Sequence, residues 1–495
     1  MDVVVIGAGA AGLQWGLLLS RMNASYVIFE AESNPASFFR RYPRSRRLIS
    51  HNRCHLQDEL QGEFALRHDW HTLLDAPITF CDFVKNTSND FYPAADSYVT
   101  YLERVAAELN VQYLWKASSI EYDAEGATIC NDAGECVRSK HVVLATGMQQ
   151  RTSNFASLDY STFPDLHPKT RDADFCRGKR VGIIGGGNAA LETANMLASC
   201  AQSVHVYTPR PASFAALTHY PGNLRMQHMA LMDRYMLKTL DTMEVISEEM
   251  KQMGCYNASD CSGGSIDVFI YCGGFTSARA SLVTDMSAWT KNRFPRTDDF
   301  YKVRNSFERG WYSGVVMHGN DYKVSSGGFV HGFRYLIRSQ ARFMALEKTN
   351  AWEGALVGTS DVMISKTIHR MQTSSGLYQM QRVLADFVLT IDKDTYVYLE
   401  EIPFDYRERV LQRYNAKGYC AFLFAYDMNP AKVPFDFEKA VADVYVGQTP
   451  PHFLHPILIS DYGRVWEGHE DVNAMWKSMF VVKAMRGMLG ECIVR

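Results

Sequence analysis

Short apolar runs that end in glycines recur along the chain and predict the buried strands of a parallel sheet. The first run, residues 3–6, leads into a Gly-x-Gly-x-x-Gly turn at residues 7–12 and then into an apolar helix. This order of strand, turn and helix is typical of dinucleotide binding. Gly7 permits the tight turn, Gly9 lets the backbone approach a pyrophosphate, and Gly12 lets helix and strand pack closely.

The next apolar run, residues 26–29, ends in Glu30. A carboxylate at the end of this second strand is positioned to accept hydrogen bonds from the ribose hydroxyls of the same dinucleotide. Strand, turn, helix, strand and acid follow one another in register, which makes the pattern far more specific than a glycine hexapeptide alone. We therefore predict a dinucleotide site, for FAD, at the start of the chain.

The same pattern occurs a second time, after an apolar strand that ends at residue 184. The following strand leads to Arg210, and no acid stands where Glu30 stands in the first unit. An arginine at this place favours the 2′-phosphate of NADPH, although an exposed surface arginine is the alternative. The cofactor contacts predicted in this second turn are Gly185, Gly187, Asn188 and Ala190.

Two later segments are predicted to complete the first site. The strand at residues 141–147, which ends in Ala-Thr-Gly, would return to the first sheet beside the cofactor. The run at 314–318 would do so again, before a helix that ends at Lys348. Backbone N–H groups at that helix start could hold the ribityl chain and the flavin ring, but an ordinary strand–loop–helix is the alternative. The residues predicted to bind FAD here are Thr146, Gly147, Gly319, Asn320, Gly332 and Phe333.

These repeats predict an α/β fold with two Rossmann-like dinucleotide-binding domains, the second inserted in the first. An amphipathic helix over residues 97–110 and a meander between residues 118 and 138 belong to the first unit. An apolar stripe over residues 377–388 predicts a further helix, within an appended C-terminal domain that is mixed α/β or mainly helical. The predicted segments are 1–170 and 281–348 for the FAD domain, 171–280 for the NADPH domain, and 349–495 for the appended domain.

Composition narrows the function classes. The chain has 495 residues and a net charge of −3, which gives no sign of binding nucleic acid or an anionic membrane. No apolar run approaches the roughly 20 residues of a membrane span, and the first strand begins too early to leave room for a leader, so we expect a cytoplasmic protein. The eleven cysteines are odd in number and form no Cys-x-x-Cys, so we expect reduced thiols rather than a disulfide framework.

Polar residues after the second strand offer further candidates. Arg40 opens an arginine-rich segment that is predicted to lie near the cofactor phosphates, with a solvated basic loop as an equal alternative. Histidines and cysteines between residues 51 and 71 match no closed zinc site, so no metal is expected.

In the order of its two dinucleotide-binding patterns along the sequence, the chain resembles the flavin-containing monooxygenase superfamily. The segments that carry the resemblance are residues 50–52, Ser-His-Asn, and residues 91–93, Phe-Tyr-Pro. The resemblance implies that Asn52 lies beside the flavin as an active-site residue. It further implies an NADPH- and O2-dependent monooxygenase that oxygenates a nucleophilic nitrogen, sulfur or carbon atom of a small molecule through a flavin hydroperoxide. The linker segment at residues 163–167 lacks the glycine of the family motif, which leaves the role of His167 open.

A closer resemblance runs over nearly the whole chain, to the FAD-dependent oxidoreductase domain-containing (FoxRed-type) flavoproteins of the endoplasmic reticulum lumen. It implies that the C-terminal domain is a family feature. The start and end of this chain show neither a leader nor a retention signal, so we expect a cytosolic relative. The matching stretches are residues 38–44, 67–70, 218–225, 325–335, 375–380 and 453–456.

Two other functions remain open. An NADPH-dependent dithiol–disulfide reductase would need two cysteines beside the flavin, and Cys255 and Cys261 are the nearest pair in the second unit, while Cys54 has no partner close in sequence. A partner-binding flavoprotein with structural FAD is the third reading. The large C-terminal domain supports it, and that domain could also form a homodimer.

Overall fold

The fold is described here from a computed structural model of the chain. The residues that it describes are 1–54, 62–88, 90–151, 158–159, 175–208, 241–245, 266–277, 282, 289–290, 294–295, 297–298, 302–303, 306, 309–313, 326–349, 351–425, 454–467, 487, 490 and 492.

Strands and helices are numbered here in chain order. The strands are β1 (Val3–Ile6), β2 (Tyr26–Phe29), β3 (Val111–Gln112), β4 (Ala117–Asp123), β5 (Gly126–Asn131), β6 (Cys136–Ser139), β7 (His141–Leu144), β8 (Met148–Gln150), β9 (Leu158–Asp159), β10 (Arg180–Ile184), β11 (Ser203–Thr208), β12 (Asp241–Val245), β13 (Val268–Tyr271), β14 (Phe275–Ser277), β15 (Trp289–Thr290), β16 (Phe294–Pro295), β17 (Gly310–Tyr312), β18 (Leu356–Gly358), β19 (Leu384–Thr390), β20 (Tyr396–Pro403), β21 (Gly418–Ala425), β22 (His455–Ser460) and β23 (Gly463–Glu467). The helices are α1 (Ala10–Arg21), α2 (Ser37–Arg41), α3 (Gly62–Ala65), α4 (Phe80–Val84), α5 (Ala95–Ala106), α6 (Asn188–Leu197), α7 (Val330–Thr349), α8 (Ser360–Thr373), α9 (Gly376–Gln379) and α10 (Arg407–Tyr414).

The first parallel sheet has the strand order β17-β7-β1-β2-β3. Val3 in β1 pairs with Tyr26 on one side and with His141 on the other. Every residue of β1 is buried, as expected for a parallel strand covered on both faces. Helices α1 and α7 share one core on this sheet, in which Leu13 of α1 and Ile337 of α7 are both fully buried. The predicted parallel sheet is confirmed.

The second parallel sheet has the strand order β12-β11-β10-β13-β9. Helix α6 connects β10 to β11, as the second glycine pattern predicts. The short strand β9 pairs with β13, so residues 158–159 already belong to the second sheet. The domain boundaries themselves stay predictions.

The meander lies between β3 and β7 of the first sheet in sequence, and the strands of the inter-sheet connection, β8 and β14, precede and follow the second sheet. Strands β4, β5 and β6 form the predicted three-stranded antiparallel meander. Strand β8, which leaves the first sheet, pairs antiparallel with β14, which returns from the second. The predicted return strand at 314–318 lies outside the described residues, whereas β17 pairs with β7 at residues 310–312.

The C-terminal region is a six-stranded antiparallel sheet with helices, which fits the mixed α/β alternative. The helix predicted over residues 377–388 is wrong, because only α9 is helical there and Leu384–Thr390 forms the central strand β19. Phe387 and Leu389 of that strand face the core shared with α7, while Leu384 and Val388 face the core under α8. With apolar residues on both faces, the period of two that marks a strand is hidden in the sequence.

Four disulfides occur among the described residues, so the expectation of reduced thiols is wrong for these cysteines. Spacing in sequence could not show the pairs, which are 6 to 72 residues apart and meet only in the fold. Within the described part of the chain, Cys272 is a free and buried thiol, while Cys255 and Cys261 lie outside that part. The pairs are Cys54–Cys81, Cys130–Cys136, Cys176–Cys200 and Cys420–Cys492.

None of the helices that the structure describes combines the length and the apolar character needed to cross a bilayer.

Candidate functional site

The first glycine turn has the geometry that a pyrophosphate needs. Gly7 has a positive φ of 107°, and a Cβ atom there would lie 2.5 Å from the carbonyl oxygen of Ala145. A Cβ at Gly12 would lie 1.8 Å from the carbonyl oxygen of Gly7, whereas a Cβ at Gly9 would meet nothing within 4 Å. Gly9 is also the N-cap of α1, and no side chain caps that helix. Open space therefore adjoins a helix N-terminus, the arrangement that binds phosphate groups.

Glu30 lies at the end of β2, beside this turn. Its Oε2 accepts a hydrogen bond of 2.7 Å from the N–H of Ala8, and its Oε1 accepts one of 3.0 Å from the N–H of Glu32. Burial raises the pKa of the Glu30 carboxyl. Each carboxylate oxygen has two lone pairs, so capacity remains for ribose hydroxyls. Glu30 thus stabilises the turn and fits its predicted role.

The second glycine turn repeats this geometry. The N–H of Gly185 donates to Tyr207 at 2.8 Å, just as the N–H of Gly7 donates to Phe29 at 2.7 Å. Gly185 has a φ of 131°, and a Cβ at Gly187 would meet nothing within 4 Å. Gly187 caps α6 without a side-chain hydrogen bond. The internal repeat predicted from the sequence therefore extends to individual hydrogen bonds.

Two residues at the second turn bear on its cofactor. The Oδ1 atom of Asn188 is buried and has no hydrogen-bond partner among the described residues, which fits a site completed by a ligand. Ala190 is fully buried in the packing of α6 on its sheet. Thr208 ends β11 in the place that corresponds to Glu30, so the acid is absent there. Arg210 lies outside the described residues.

The structure describes some, but not all, of the other residues that are predicted to contact FAD. Thr146 and Gly147 follow β7 directly, and Gly147 has a φ of 70° and open space around a Cβ. Phe333 packs into the main core, so its side chain is not free for the cofactor, while its N–H donates to the carbonyl of Phe329. Gly332 lies in the first turn of α7. Gly319 and Asn320 lie outside the described residues.

Arg40 has protein partners in this structure. Its guanidinium forms an ion pair with Glu103 of α5, and its Nε donates to the carbonyl of Pro35 at 3.1 Å. The ion pair with Glu103 holds α2 against α5. A contact between Arg40 and the cofactor stays a prediction.

Asn52 is buried at the centre of a polar network. Its Nδ2 donates to Oδ1 of Asp69 at 3.1 Å, and its Oδ1 bonds to Nδ1 of His71. The amide oxygen can only accept, so Nδ1 of His71 carries the proton. Asp69 also accepts hydrogen bonds from the backbone N–H groups of His71 and Thr72. Burial lowers the pKa of His71 to about 3, which keeps its imidazole neutral at neutral pH.

Helices of the first domain hold this network in place. The Gln14 side chain of α1 donates to the carbonyl of Leu74 at 3.0 Å and accepts from its N–H at 2.7 Å. Arg334 of α7 donates to the carbonyl of Thr72 at 2.6 Å. The segment that carries Asp69 is therefore fixed by the same helices that flank the first glycine turn and the predicted flavin ring.

Stacked rings connect the Asn52 network to the start of α7. The indole of Trp70 lies between His51 and His331, with ring centroids 3.7 Å and 3.9 Å away. Phe91 stacks on the outer side of His51 at 5.1 Å. Burial lowers the pKa of His51 to about 4, so this ring is neutral as well. The wall is therefore aromatic, and its His51 and Trp70 rings carry no charge at neutral pH.

The disulfide between Cys54 and Cys81 lies directly against Asn52. The Nδ2 atom of Asn52 is 3.4 Å from Sγ of Cys81 and 3.8 Å from Sγ of Cys54. Sequence reasoning found Asn52 but missed Asp69, His71 and this disulfide. The stretch 67–70 was part of the family resemblance, yet nothing in the sequence gave Asp69 a role.

The residues present fit a dinucleotide at each turn, because open space and an uncapped helix N-terminus coincide at both. At the second turn, the buried Oδ1 atom of Asn188 adds a polar group without a hydrogen-bond partner among the described residues. The first turn and Glu30 would hold the phosphates and ribose of FAD. The second turn would hold NAD(P)H.

Comparisons with known proteins show the family of the chain and imply that it uses FAD and NAD(P)H. The family model described as pyridine nucleotide-disulphide oxidoreductase matches residues 4–305. FAD-dependent oxidoreductase domain-containing protein 2 of Mus musculus is 30% identical over 92% of this chain and 75% of its own length. The protein of that name from Danio rerio is 28% identical over the same shares. The flavin-containing monooxygenase of Stenotrophomonas maltophilia has the same fold over 70% of this chain and 99% of its own, with a TM-score of 0.52 and 19% identity.

The resemblance to FoxRed-type flavoproteins is thereby confirmed, and so is the expectation of an FAD-dependent pyridine nucleotide oxidoreductase. The chain belongs to the pyridine nucleotide-disulphide oxidoreductase family, as a homologue of FAD-dependent oxidoreductase domain-containing protein 2.

Proposed function

We propose that this oxidoreductase uses NADPH to reduce its FAD and that the acceptor reacts on the side lined by Asn52. The observation that carries this proposal is the row of rings from His51 through Trp70 to His331, which makes the Asn52 network contiguous with the start of α7. That helix start is where the flavin ring is predicted to bind. NADPH rather than NADH is supported by Thr208, which stands where an acid would otherwise bind a ribose hydroxyl.

The acceptor that we propose first is O2, which makes the protein a monooxygenase acting on a nucleophilic nitrogen, sulfur or carbon atom of a small molecule. When bound, FAD takes the electron pair from NADPH and supplies the oxygen chemistry. The chain's part is to exclude water with the aromatic wall and to present the neutral Asn52–His71 pair to the reacting groups. The flavin-containing monooxygenase of Stenotrophomonas maltophilia has the same fold, which supports this proposal.

Oxygenation can be tested without knowing the substrate. The FAD-loaded protein is incubated with NADPH, isotopically labelled O2 and a panel of thioethers, amines and ketones. A product that carries one labelled oxygen atom, formed with one NADPH consumed, is the expected result. Rapid NADPH oxidation that yields only hydrogen peroxide with every compound would contradict the monooxygenase proposal.

A second candidate is an NADPH-dependent disulfide reductase. The observation that favours it is the Cys54–Cys81 disulfide, which lies in contact with Asn52. This pair removes the objection that Cys54 has no partner. Anaerobic reduction of a disulfide substrate by NADPH, at a rate above that of free FAD, would distinguish this activity from oxygenation.

The cellular compartment in which the protein works is the subject of a separate proposal. The sequence leads to a cytoplasmic expectation, yet four disulfides among the described residues are typical of an oxidising compartment. We therefore propose that the protein works where disulfides persist. Alkylation of the native protein before reduction, followed by mass spectrometry, tests this. Alkylated Cys130 and Cys420 in freshly isolated protein would return the assignment to the cytoplasm.

A further inference from the structure

We propose that Phe38 and Tyr42 are positioning residues for hydride transfer, because their rings hold the second sheet, which carries the predicted NADPH turn, at a set orientation to the first. The inference rests on the first half of the proposed function, the reduction of FAD by NADPH. It goes further in naming the side chains that set the geometry between the two nucleotide sites. Both residues belong to the stretch 38–44 of the family resemblance, whose aromatic residues have no role in either glycine turn.

Helix α2, which carries Phe38, is bound to the first domain at several points. The N–H of Ala36, just before the helix, donates to a carbonyl of the first glycine turn at 3.1 Å. Arg40 forms its ion pair with Glu103 of α5. Phe39 packs edge-on against Tyr98 of α5, with the ring centroids 4.8 Å apart. The helix is therefore fixed relative to the predicted FAD turn.

The other side of this segment packs against the strand that returns from the second sheet. Phe38 and Tyr42 both contact Phe275 of β14, with ring centroids 5.8 Å and 5.1 Å away. Tyr42 and Phe275 meet edge to face, an arrangement that aromatic pairs prefer. Phe38 also contacts Tyr42, at 5.2 Å, so the three rings form one cluster between the domains.

Tyr42 reaches beyond β14 into the core of the second sheet. Only 7% of its surface is exposed, and it belongs to the same apolar cluster as Val181 of β10 and Ile270 of β13. Phe38 and Phe275 are partly buried and pack against this cluster. A side chain that follows α2 of the first domain is thus part of the hydrophobic core of the second.

Two neighbouring phenylalanines show how α2 bridges the domains. Phe39 packs against the core of the first sheet, whereas Phe38 packs against the core of the second. Successive residues of a helix point about 100° apart, so one helical turn can contact both cores. The short helix therefore transmits the position of the first glycine turn to the second sheet.

Hydride transfer depends on this relationship between the sheets. A hydride, which carries two electrons and one proton, leaves NADPH and is taken up by FAD, and NADP⁺ is the product. The two dinucleotides bind at different sheets, so the orientation of the sheets sets how closely the reacting atoms approach. A misplacement of about 1 Å can slow a chemical step by about a hundredfold. Phe38 and Tyr42 act through this orientation and not through contact with the reacting atoms.

Anaerobic flavin reduction tests the positioning role. The FAD-loaded protein is mixed with NADPH over a range of concentrations, and the rate is expressed per bound flavin. We expect Tyr42→Ala to lower the limiting rate by about tenfold or more, while the apparent Kd for NADPH stays nearly unchanged because the second glycine turn is intact. Tyr42→Phe should restore the wild-type rate, since it keeps the ring. A role in stability alone would lower the flavin content and leave the rate per flavin unchanged.

Small-angle X-ray scattering without nucleotides measures the orientation independently of activity. Tyr42→Ala and Phe38→Ala should each change the scattering profile relative to the wild type. The control is Phe404→Ala, which removes a partly buried ring that stacks on Phe387 within the C-terminal region. This control should keep both the wild-type profile and the wild-type rate.

Loss of the positioning role and loss of the proposed function give different results. Wild-type rates per flavin in both Tyr42→Ala and Phe38→Ala would overturn the positioning role. Slow rates with an unchanged scattering profile, or an equal loss in Phe404→Ala, would overturn it as well. If NADPH does not reduce the wild-type flavin, the proposed function fails, and the scattering profiles then decide the role of the rings by themselves. Phe38 is only partly buried, so Phe38→Ala keeps the test decisive even where Tyr42→Ala does not fold.

Discussion

Glu63 and Arg370, which are 307 residues apart in sequence, form an ion pair with 2.9 Å between Oε2 and Nη1. Arg338 of α7 also donates to Glu63, at 3.0 Å, and to Glu401 of the C-terminal sheet. The N–H groups of Ser375 and Gly376 bond to the other oxygen of Glu63. These contacts fix the short helix α3 to the C-terminal region. Glu63 lies six residues before Asp69 in the sequence.

Removal of one charge from this ion pair should therefore destabilise the protein. We expect Glu63→Gln to lower the free energy of unfolding by about 1.5–3 kcal/mol, because Arg338 and Arg370 lose a charged hydrogen-bond acceptor while they keep Glu401 and Asp386 as counter-charges. Urea denaturation measures the change. The control is Asp123→Asn, which breaks the solvent-exposed pair with Arg138 and should have a much smaller effect. Equal effects of the two variants would show that the Glu63 pair is no stronger than a surface pair.

The same pair predicts a pH dependence. The Arg338 and Arg370 guanidinium groups hold the pKa of the Glu63 carboxyl below its usual value of 4.5. A depressed pKa in the folded state adds stability that is present above pH 4.5 and is lost as the pH falls toward the folded-state value. Unfolding free energies should therefore fall more steeply below that pH in the wild type than in Glu63→Gln. Parallel curves for the two proteins would contradict this expectation.

The glycine turns predict a contrast between two alanine variants. Gly12→Ala would place a Cβ 1.8 Å from a backbone oxygen, so we expect a loss of at least about 3 kcal/mol in stability together with the FAD. Gly9→Ala meets nothing within 4 Å, so the protein should fold with a change of about 1 kcal/mol but bind FAD poorly. Thermal unfolding and the flavin-to-protein absorbance ratio measure both effects. Full FAD content in Gly9→Ala would place the pyrophosphate elsewhere.

Asn52→Ala tests the central polar network. The variant removes one donor to Asp69 and the acceptor for Nδ1 of His71, so stability should fall by about 1–3 kcal/mol. Coupled turnover should fall by roughly tenfold to a hundredfold, because the groups that face the acceptor lose their positions. The control is Asn34→Ala, at an exposed asparagine. Full coupled turnover in Asn52→Ala would remove this residue from the active site.

Arg210→Ala tests the choice of nucleotide. Loss of a charged hydrogen bond to the 2′-phosphate should raise the KM for NADPH by about tenfold or more and leave the KM for NADH unchanged. Steady-state kinetics with both nucleotides measure the ratio. An equal change with the two nucleotides would mean that Arg210 does not contact the 2′-phosphate.

Local patterns were sufficient to predict both dinucleotide turns, because each turn lies within a single stretch of strand, glycines and helix. Strand β19 could not be separated from a helix, since nearly all of its residues are apolar and each face packs on a different core. The residues around Asn52 could not be predicted from the sequence, for another reason. Asp69, His71 and Cys81 lie 17 to 29 residues away, and only the tertiary fold brings them together.

The pairing of β8 with β14 has a consequence for how the two nucleotide sites can move. The chain leaves the first sheet through residues 148–150 and returns through residues 275–277, and these segments share one antiparallel ladder that runs from Met148 opposite Ser277 to Gln150 opposite Phe275. Two separate connections would let the second sheet swing in any direction. A hydrogen-bonded ribbon twists and bends as one body, so the second sheet can reorient mainly about the axis of that ribbon. We expect such a reorientation to change the distance over which hydride passes between the two nucleotides.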